Sequence, residues 1–198
     1  MAAIGIMGGT FDPIHYGHLL IAEESRVEFD LDKVLFVTSG QPPHKKDYAV
    51  SDAEQRHAMA ILATEGNSHF EPSRTELDRE GPSYAVDTVE ECLRTYGSDA
   101  ELYFITGADA ILEILTWHQP ERLRCMCKFI AAARPGYDFD ELRLRLPREF
   151  LDQIICLETP GIHISSTELR ARVKTGKSIR YMVPEPVRAY IEHQRLYK

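Results

Sequence analysis

The sequence predicts an α/β fold, a doubly wound and mostly parallel sheet with helices on both faces and a small helical C-terminal part. Three observations carry that expectation. Short apolar runs alternate with stretches of helical periodicity, glycines and prolines punctuate the joins, and no repeat, low-complexity tract or linker divides the 198 residues. One domain over residues 1–198 is expected, its helical C-terminal part beginning near residue 165.

In chain order, "AAIGIM" is a short buried strand stopped by Gly8 and Gly9. From Gly17, "HLLIAEESRVEF" reads as a helix, and "KVLFVTSG" is a second strand before the Pro-rich loop "GQPPHKKDYAV". Ser51 and Glu54 have capping-box spacing, in which two side chains each satisfy the other residue's free amide, so a helix should run through "RHAMAILATEG". "HFEPSRTEL" is the third strand. "SYAVDTVEECLRTYG" is a helix with Val86, Val89 and Leu93 on one side and Gly97 at its end. Strand "AELYFITG", helix "ADAILEILTW", strand "CKFIAAAR", turn "RPGY" and strand "DQIICLET" continue the alternation. "SSTELRARVKTG" is a helix capped by Ser165 with Glu168 three residues on, and "EPVRAYIEHQRLY" supplies a last helix.

Composition excludes several classes of function. Hydrophobic residues make up 43% and charged residues 27%, as in ordinary soluble globular proteins. The 31 acidic residues outnumber 23 basic ones, and a net charge of −8 argues against a general grip on nucleic acid. A small anionic ligand needs only a few well-placed cations and stays open. No apolar run approaches the roughly 18 residues of a membrane helix. "MAAIGIMGG" lacks a basic leader, so a cytoplasmic protein with no membrane partner is expected. Cys92, Cys125, Cys127 and Cys156 are too sparse for a disulfide scaffold and read as buried free thiols. Cys125-x-Cys127 has no second pair to complete a zinc site, so no protein-built metal centre is expected.

In open parallel sheets, ligands bind beyond the carboxyl ends of the strands, where the strand order reverses. Gly8 to His18, Pro42 to Lys46, Gly107 and Asp109, Arg134, and Ser165 to Arg170 all follow strands and are candidates for one shared site. Glycines after a first strand let amides approach a phosphate, although Gly8 and Gly9 alone are explained as well by a turn. His15 and His18, three apart at a helix start, share a face, and Gly17 between them leaves the approach clear. Paired imidazoles suit negative charge building on phosphoryl oxygens; a metal site would need further ligands that are not evident. "ARVKTGKS" fits a relaxed P-loop pattern, but a helix precedes it where a P-loop requires a strand, so that reading is rejected.

"GGTFDPIHYGH" and "ISSTELR" resemble the two signatures, H-x-G-H and I-S-S-T-x-x-R, of a nucleotidyltransferase superfamily with a Rossmann-like fold. H-x-G-H also occurs in class I aminoacyl-tRNA synthetases, but this chain is too short and acidic for them and lacks their lysine-rich second signature. The middle segments "QPPHK", "EGPSYAVDT", "FITGADAILEILTWH" and "RPGY" are similar to those of the bacterial nicotinate-nucleotide adenylyltransferase family, and the resemblance runs over nearly the whole chain.

That resemblance implies transfer of AMP from ATP to nicotinate mononucleotide. His18 and His15 would be catalytic. Gly8, Gly9, Thr10, Phe11, Gly107, Asp109, Arg134, Ser166, Thr167 and Arg170, with both histidines, would bind ATP. Lys45, Ser83, Tyr84, Ala85 and Trp117 would bind the mononucleotide. Ala85 stands where the family commonly has threonine, so one hydroxyl near the nicotinate end is absent. Mg²⁺ is expected through the ATP phosphates. Acceptors such as nicotinamide mononucleotide or phosphopantetheine, or a non-catalytic nucleotide sensor, remain alternatives, and a homo-oligomer is compatible with the sequence.

Overall fold

The computed structural model describes residues 2–42, 50–133 and 136–198. Among them a six-stranded sheet is built from β1 (Ala3–Gly9), β2 (Lys33–Thr38), β3 (Phe70–Ser73), β4 (Glu101–Gly107), β5 (Lys128–Ala133) and β6 (Ile154–Glu158). The order is β3-β2-β1-β4-β5-β6 and every neighbouring pair is parallel. The α/β, doubly wound expectation therefore holds. The chain moves outward from β1 to β3, then returns to lay β4 against the other side of β1, and the two halves diverge at that junction.

The interior strands are apolar on both faces because both faces are covered. Ile4 and Ile6 of β1 join Leu35, Val37, Phe104 and Phe129 in a core on one face. That face is covered by α3 (Ala85–Tyr96), α4 (Ala108–Leu112), α5 (Pro120–Leu123), α6 (Asp140–Arg145) and α7 (Arg148–Leu151), which contribute Val86, Val89, Ile111, Leu123, Leu142 and Phe150. Met7, Val34, Phe36, Ile105 and Ile130 line the other face. There α1 (Tyr16–Glu28), α2 (Ala53–Thr64), α8 (Ser166–Lys174) and α9 (Glu185–His193) bury Ala22, Met59, Leu169, Val187 and Ile191.

Several local expectations are corrected. Gly8 and Gly9 do not stop β1; they are its last two residues and pair with Val37 and Thr38 of β2. A side chain on Gly9 would lie 2.6 Å from the ring of Phe11, so the glycine is there to admit that ring. The cap of α2 is Asp52 rather than Ser51: its carboxylate accepts the amides of Glu54 and Gln55. The expected helix "ADAILEILTW" is α4 followed by a 3₁₀ turn, Ile114–Thr116. The short α5, α6 and α7 were not expected, because Pro120 and Pro147 fragment their patterns. Of the four thiols Cys92 and Cys127 are buried, and burial pushes both up to about 12, whereas Cys125 and Cys156 are exposed. Other expectations stand. Gly97 closes α3 at φ +104°, and "VKTG" is the closing turn of α8, with Gly176 at φ +70°, the wrong helix end for a phosphate.

Candidate active site

β1 delivers the chain to Thr10 and Phe11 at the switch between β1 and β4. Phe11 takes the left-handed conformation (φ +50°), which turns its ring back under Gly9 and against Phe36. The chain then enters α1 with His15 as the cap residue and His18 in the first turn. The backbone amide of His15 donates to Nδ1 of His18 at 3.2 Å. Nδ1 of His18 is thus the acceptor, and in the neutral ring the proton sits on Nε2. The two imidazoles stack with centroids 3.7 Å apart, and Phe11 meets His18 edge-on at 5.2 Å. A side chain on Gly17 would come within 3.0 Å of the His15 ring.

Burial favours the uncharged form of both rings. It lowers His15 to about 4, and burial together with the neighbouring His15 holds His18 well below the usual histidine range. At neutral pH the pair is uncharged. Nδ1 of His15 is fully buried and turned inward toward the backbone amide of His18 in the capping arrangement that opens α1.

Across from the histidines, Ser165 caps α8 by accepting the amide of Glu168. The helix is tied to the first loop by two long-range bonds. Ser166 Oγ donates to the Pro13 carbonyl at 2.9 Å, and Arg170 Nη1 donates to the Asp12 carbonyl at 2.7 Å. Arg170 also reaches Thr167 Oγ1 at 3.3 Å. The openings of α1 and α8 therefore face a common cleft of about 700 Å³. Thr10, Phe11, His15 and His18 line it on one side, Gly107 and Asp109 at the end of β4, and Ser166, Thr167 and Arg170 on the other. Gly8 and Gly9 do not line this cleft, and Arg134 lies outside the described residues.

The residues expected to hold the mononucleotide gather on the other face of the sheet. Trp117 is half-buried with its ring edge-on to Phe104 at 5.6 Å, and Phe104 sits 3.3 Å from where a side chain on Gly8 would begin. Tyr84 stacks on His118 at 4.2 Å. Ser83 exchanges two hydrogen bonds with the backbone of Gln41, fixing the start of α3, whose first residue is Ala85, against the end of β2. Lys45 lies outside the described residues.

Three residues at this site were given no role by the sequence reading, although Asp12 lies within its candidate stretch Gly8 to His18. Arg56 is fully buried and donates to the carbonyls of Thr10 (2.7 Å), Ser51 (2.8 Å) and Gly40 (3.3 Å), joining the loops after β1 and β2. Its spacing with Met59 and Ala60 on the buried face of α2 was the available signal. Asp12 is buried, its carboxylate accepting the Tyr197 hydroxyl at 2.7 Å and the Ser51 amide at 3.3 Å. Tyr197 is the third.

No group of three or more His, Cys, Asp or Glu side chains converges to hold a metal among the described residues. Asp12 is engaged as above, and among the described residues lining the cleft Asp109 is the other carboxylate. The donor set suits an ion that keeps substrate oxygens and water as most of its ligands.

A switch-point cleft where two helix openings converge suits a phosphate-bearing ligand, and residues 6–172 match the family model described as Cytidylyltransferase-like, which places the chain among nucleotidyltransferases. A Moorella thermoacetica protein described as "Probable nicotinate-nucleotide adenylyltransferase" is 58% identical over 198 residues, covering 98% of this chain and 91% of the relative. A Thermus thermophilus relative with the same description is 48% identical, covering 98% and 99%. The fold matches the structure titled "Plasmodium falciparum nicotinic acid mononucleotide adenylyltransferase complexed with NaAD" at TM-score 0.81 and 22% identity, over 100% and 98% of the two chains. The chain belongs to the nicotinate-nucleotide adenylyltransferases of the cytidylyltransferase-like family.

Proposed function

We propose that this chain transfers AMP from ATP to the 5′-phosphate of nicotinate mononucleotide, yielding nicotinate adenine dinucleotide and pyrophosphate, a step of NAD biosynthesis. The observation that carries the reading is the convergence of His15 and His18 with Ser166, Thr167 and Arg170 on one cleft at the β1/β4 switch. An oxygen of the mononucleotide phosphate attacks the α-phosphorus in line; the bond to the β-phosphate oxygen breaks, and pyrophosphate leaves with that electron pair. The attacking phosphate is largely deprotonated near neutral pH, since its second pKa is about 6, so no general base is required. The protein contributes positioning and charge stabilisation.

His18 is assigned to the α-phosphate. Its Nε2–H, fixed by the amide of His15, donates to an oxygen whose charge grows during attack. His15, which stacks on His18 and lines the cleft, assists on the phosphates. Arg170, Ser166 and Thr167 hold the departing phosphates with the amides opening α8. Thr10, Phe11, Gly107 and Asp109 line the nucleotide, and Arg134 is assigned to it from the sequence. Trp117, edge-on to Phe104, offers an aromatic platform for the nicotinate ring, with Ser83, Tyr84 and the amide of Ala85 at its carboxylate end and Lys45 on the phosphate. Magnesium, held mainly through ATP phosphates and water, would supply charge screening. A cytoplasmic location agrees with this reaction, and among the described residues no helix is long and apolar enough to cross a membrane.

The test is pyrophosphate release from ATP with nicotinate mononucleotide, nicotinamide mononucleotide and phosphopantetheine offered separately. Release with the first acceptor well above the other two supports the assignment. Release only with another acceptor, or with none, removes it.

A further inference from the structure

Tyr197 lies 185 residues from Asp12 in sequence, yet its hydroxyl reaches the carboxylate of that residue at 2.7 Å. Asp12 is buried, and three separate segments hold it. The Tyr197 hydroxyl and the Ser51 amide share its carboxylate, while Arg170 takes its main-chain carbonyl. Ser51 in turn gives its carbonyl to Arg56, which also grips the carbonyl of Thr10. The loop that leads from Thr10 to His15 is thus held at Thr10 and at Asp12 by a chain of bonds running Tyr197–Asp12–Ser51–Arg56–Thr10. Burial and the adjoining Asp12 carboxylate push the phenol of Tyr197 well above its ordinary range, so it stays protonated and donating. A buried phenol needs a hydrogen-bond partner, and the fold could satisfy it with any nearby acceptor. This one is spent on the residue whose carbonyl anchors Arg170.

We propose that Tyr197 is a positioning residue for the transfer reaction, acting through Asp12 to hold Arg170 and the histidine loop in register across the cleft. The inference rests on the reaction assigned above. Tyr197 touches no substrate in this scheme. Its hydroxyl fixes the Asp12 carboxylate, the Asp12 carbonyl fixes the guanidinium of Arg170, and a small misplacement of such groups is costly in rate because the transition state is stabilised by alignment.

The test uses the full chain carrying Tyr197→Phe, Asp12→Asn or both, with Tyr190→Phe on α9 as a control that removes a hydroxyl outside this network. Tyr197→Phe should lower kcat by about fivefold or more with KM for the mononucleotide within about twofold, and the double variant should lose no more than the worse single one. Tyr190→Phe should match the parent. A kcat for Tyr197→Phe within twofold of the parent, a loss confined to melting temperature, or multiplicative losses in the double variant would overturn the proposal. Nitrogen-15 shifts of the His15 and His18 rings provide a readout independent of turnover. They should move in Tyr197→Phe and not in Tyr190→Phe. If the parent released no pyrophosphate with any acceptor, the assigned reaction would fall, while unmoved ring shifts would separately end the case for Tyr197.

Discussion

At the scale of single residues, the site depends on two imidazoles kept neutral and aimed. Because His18 Nδ1 is occupied by the His15 amide, only Nε2 is free to donate, and the bond it makes should strengthen as charge grows on the α-phosphate. His18→Ala should therefore lower kcat by about 10²-fold or more while the Kd for ATP stays within about threefold. Steady-state kinetics beside calorimetric ATP titration would check this, and equal losses in both would take His18 out of the transition state. Trp117→Ala should raise KM for the mononucleotide by about tenfold with KM for ATP nearly unchanged, since an aromatic platform acts on one substrate only. A change confined to ATP would return Trp117 to packing against Phe104. The histidines were legible in the sequence because both lie within four residues around one glycine. Asp12, Arg56 and Tyr197 were not, because their roles depend on long-range bonds, Asp12 to Ser51, Arg56 to Thr10 and Tyr197 to Asp12, which no local pattern encodes.

At the scale of elements, strands were read well and short helices poorly, for one physical reason. A strand buried on both faces must be an unbroken apolar run, as "VLFV" and "YFI" are, whereas α5, α6 and α7 are one or two turns long and bury a single large side chain each. The start of α2 shows how capping is decided. Ser51 has the spacing of a cap, but its amide is committed to Asp12 and its carbonyl to Arg56, so Asp52 caps the helix instead. Asp52→Ala should cost about 1 kcal/mol of stability. Urea unfolding monitored by circular dichroism would measure it, and no change in midpoint would mean that Asp52 is a bystander.

At the scale of the whole molecule, the neutral histidines couple stability to pH. His15 is held at about 4 in the fold but returns to about 6.5 when the chain unfolds. Between those values the unfolded chain binds a proton that the folded chain refuses, so stability falls as pH drops through the window and levels off below it. A displacement of that size is worth on the order of 3 kcal/mol. Urea midpoints at about pH 7.5 and about pH 5 should differ markedly in the parent and less in His15→Gln; equal differences would assign the acid sensitivity to other groups.

Strand order also governs what the ribosome exposes. While β2 and β3 are being synthesised, the flank of β1 that will receive β4 has no partner, because β4 begins only at Glu101 and Asp12 waits 158 residues for Arg170. A nascent chain paused in that interval shows the cell a bare, apolar strand edge, the surface that invites both illicit pairing and chaperone capture.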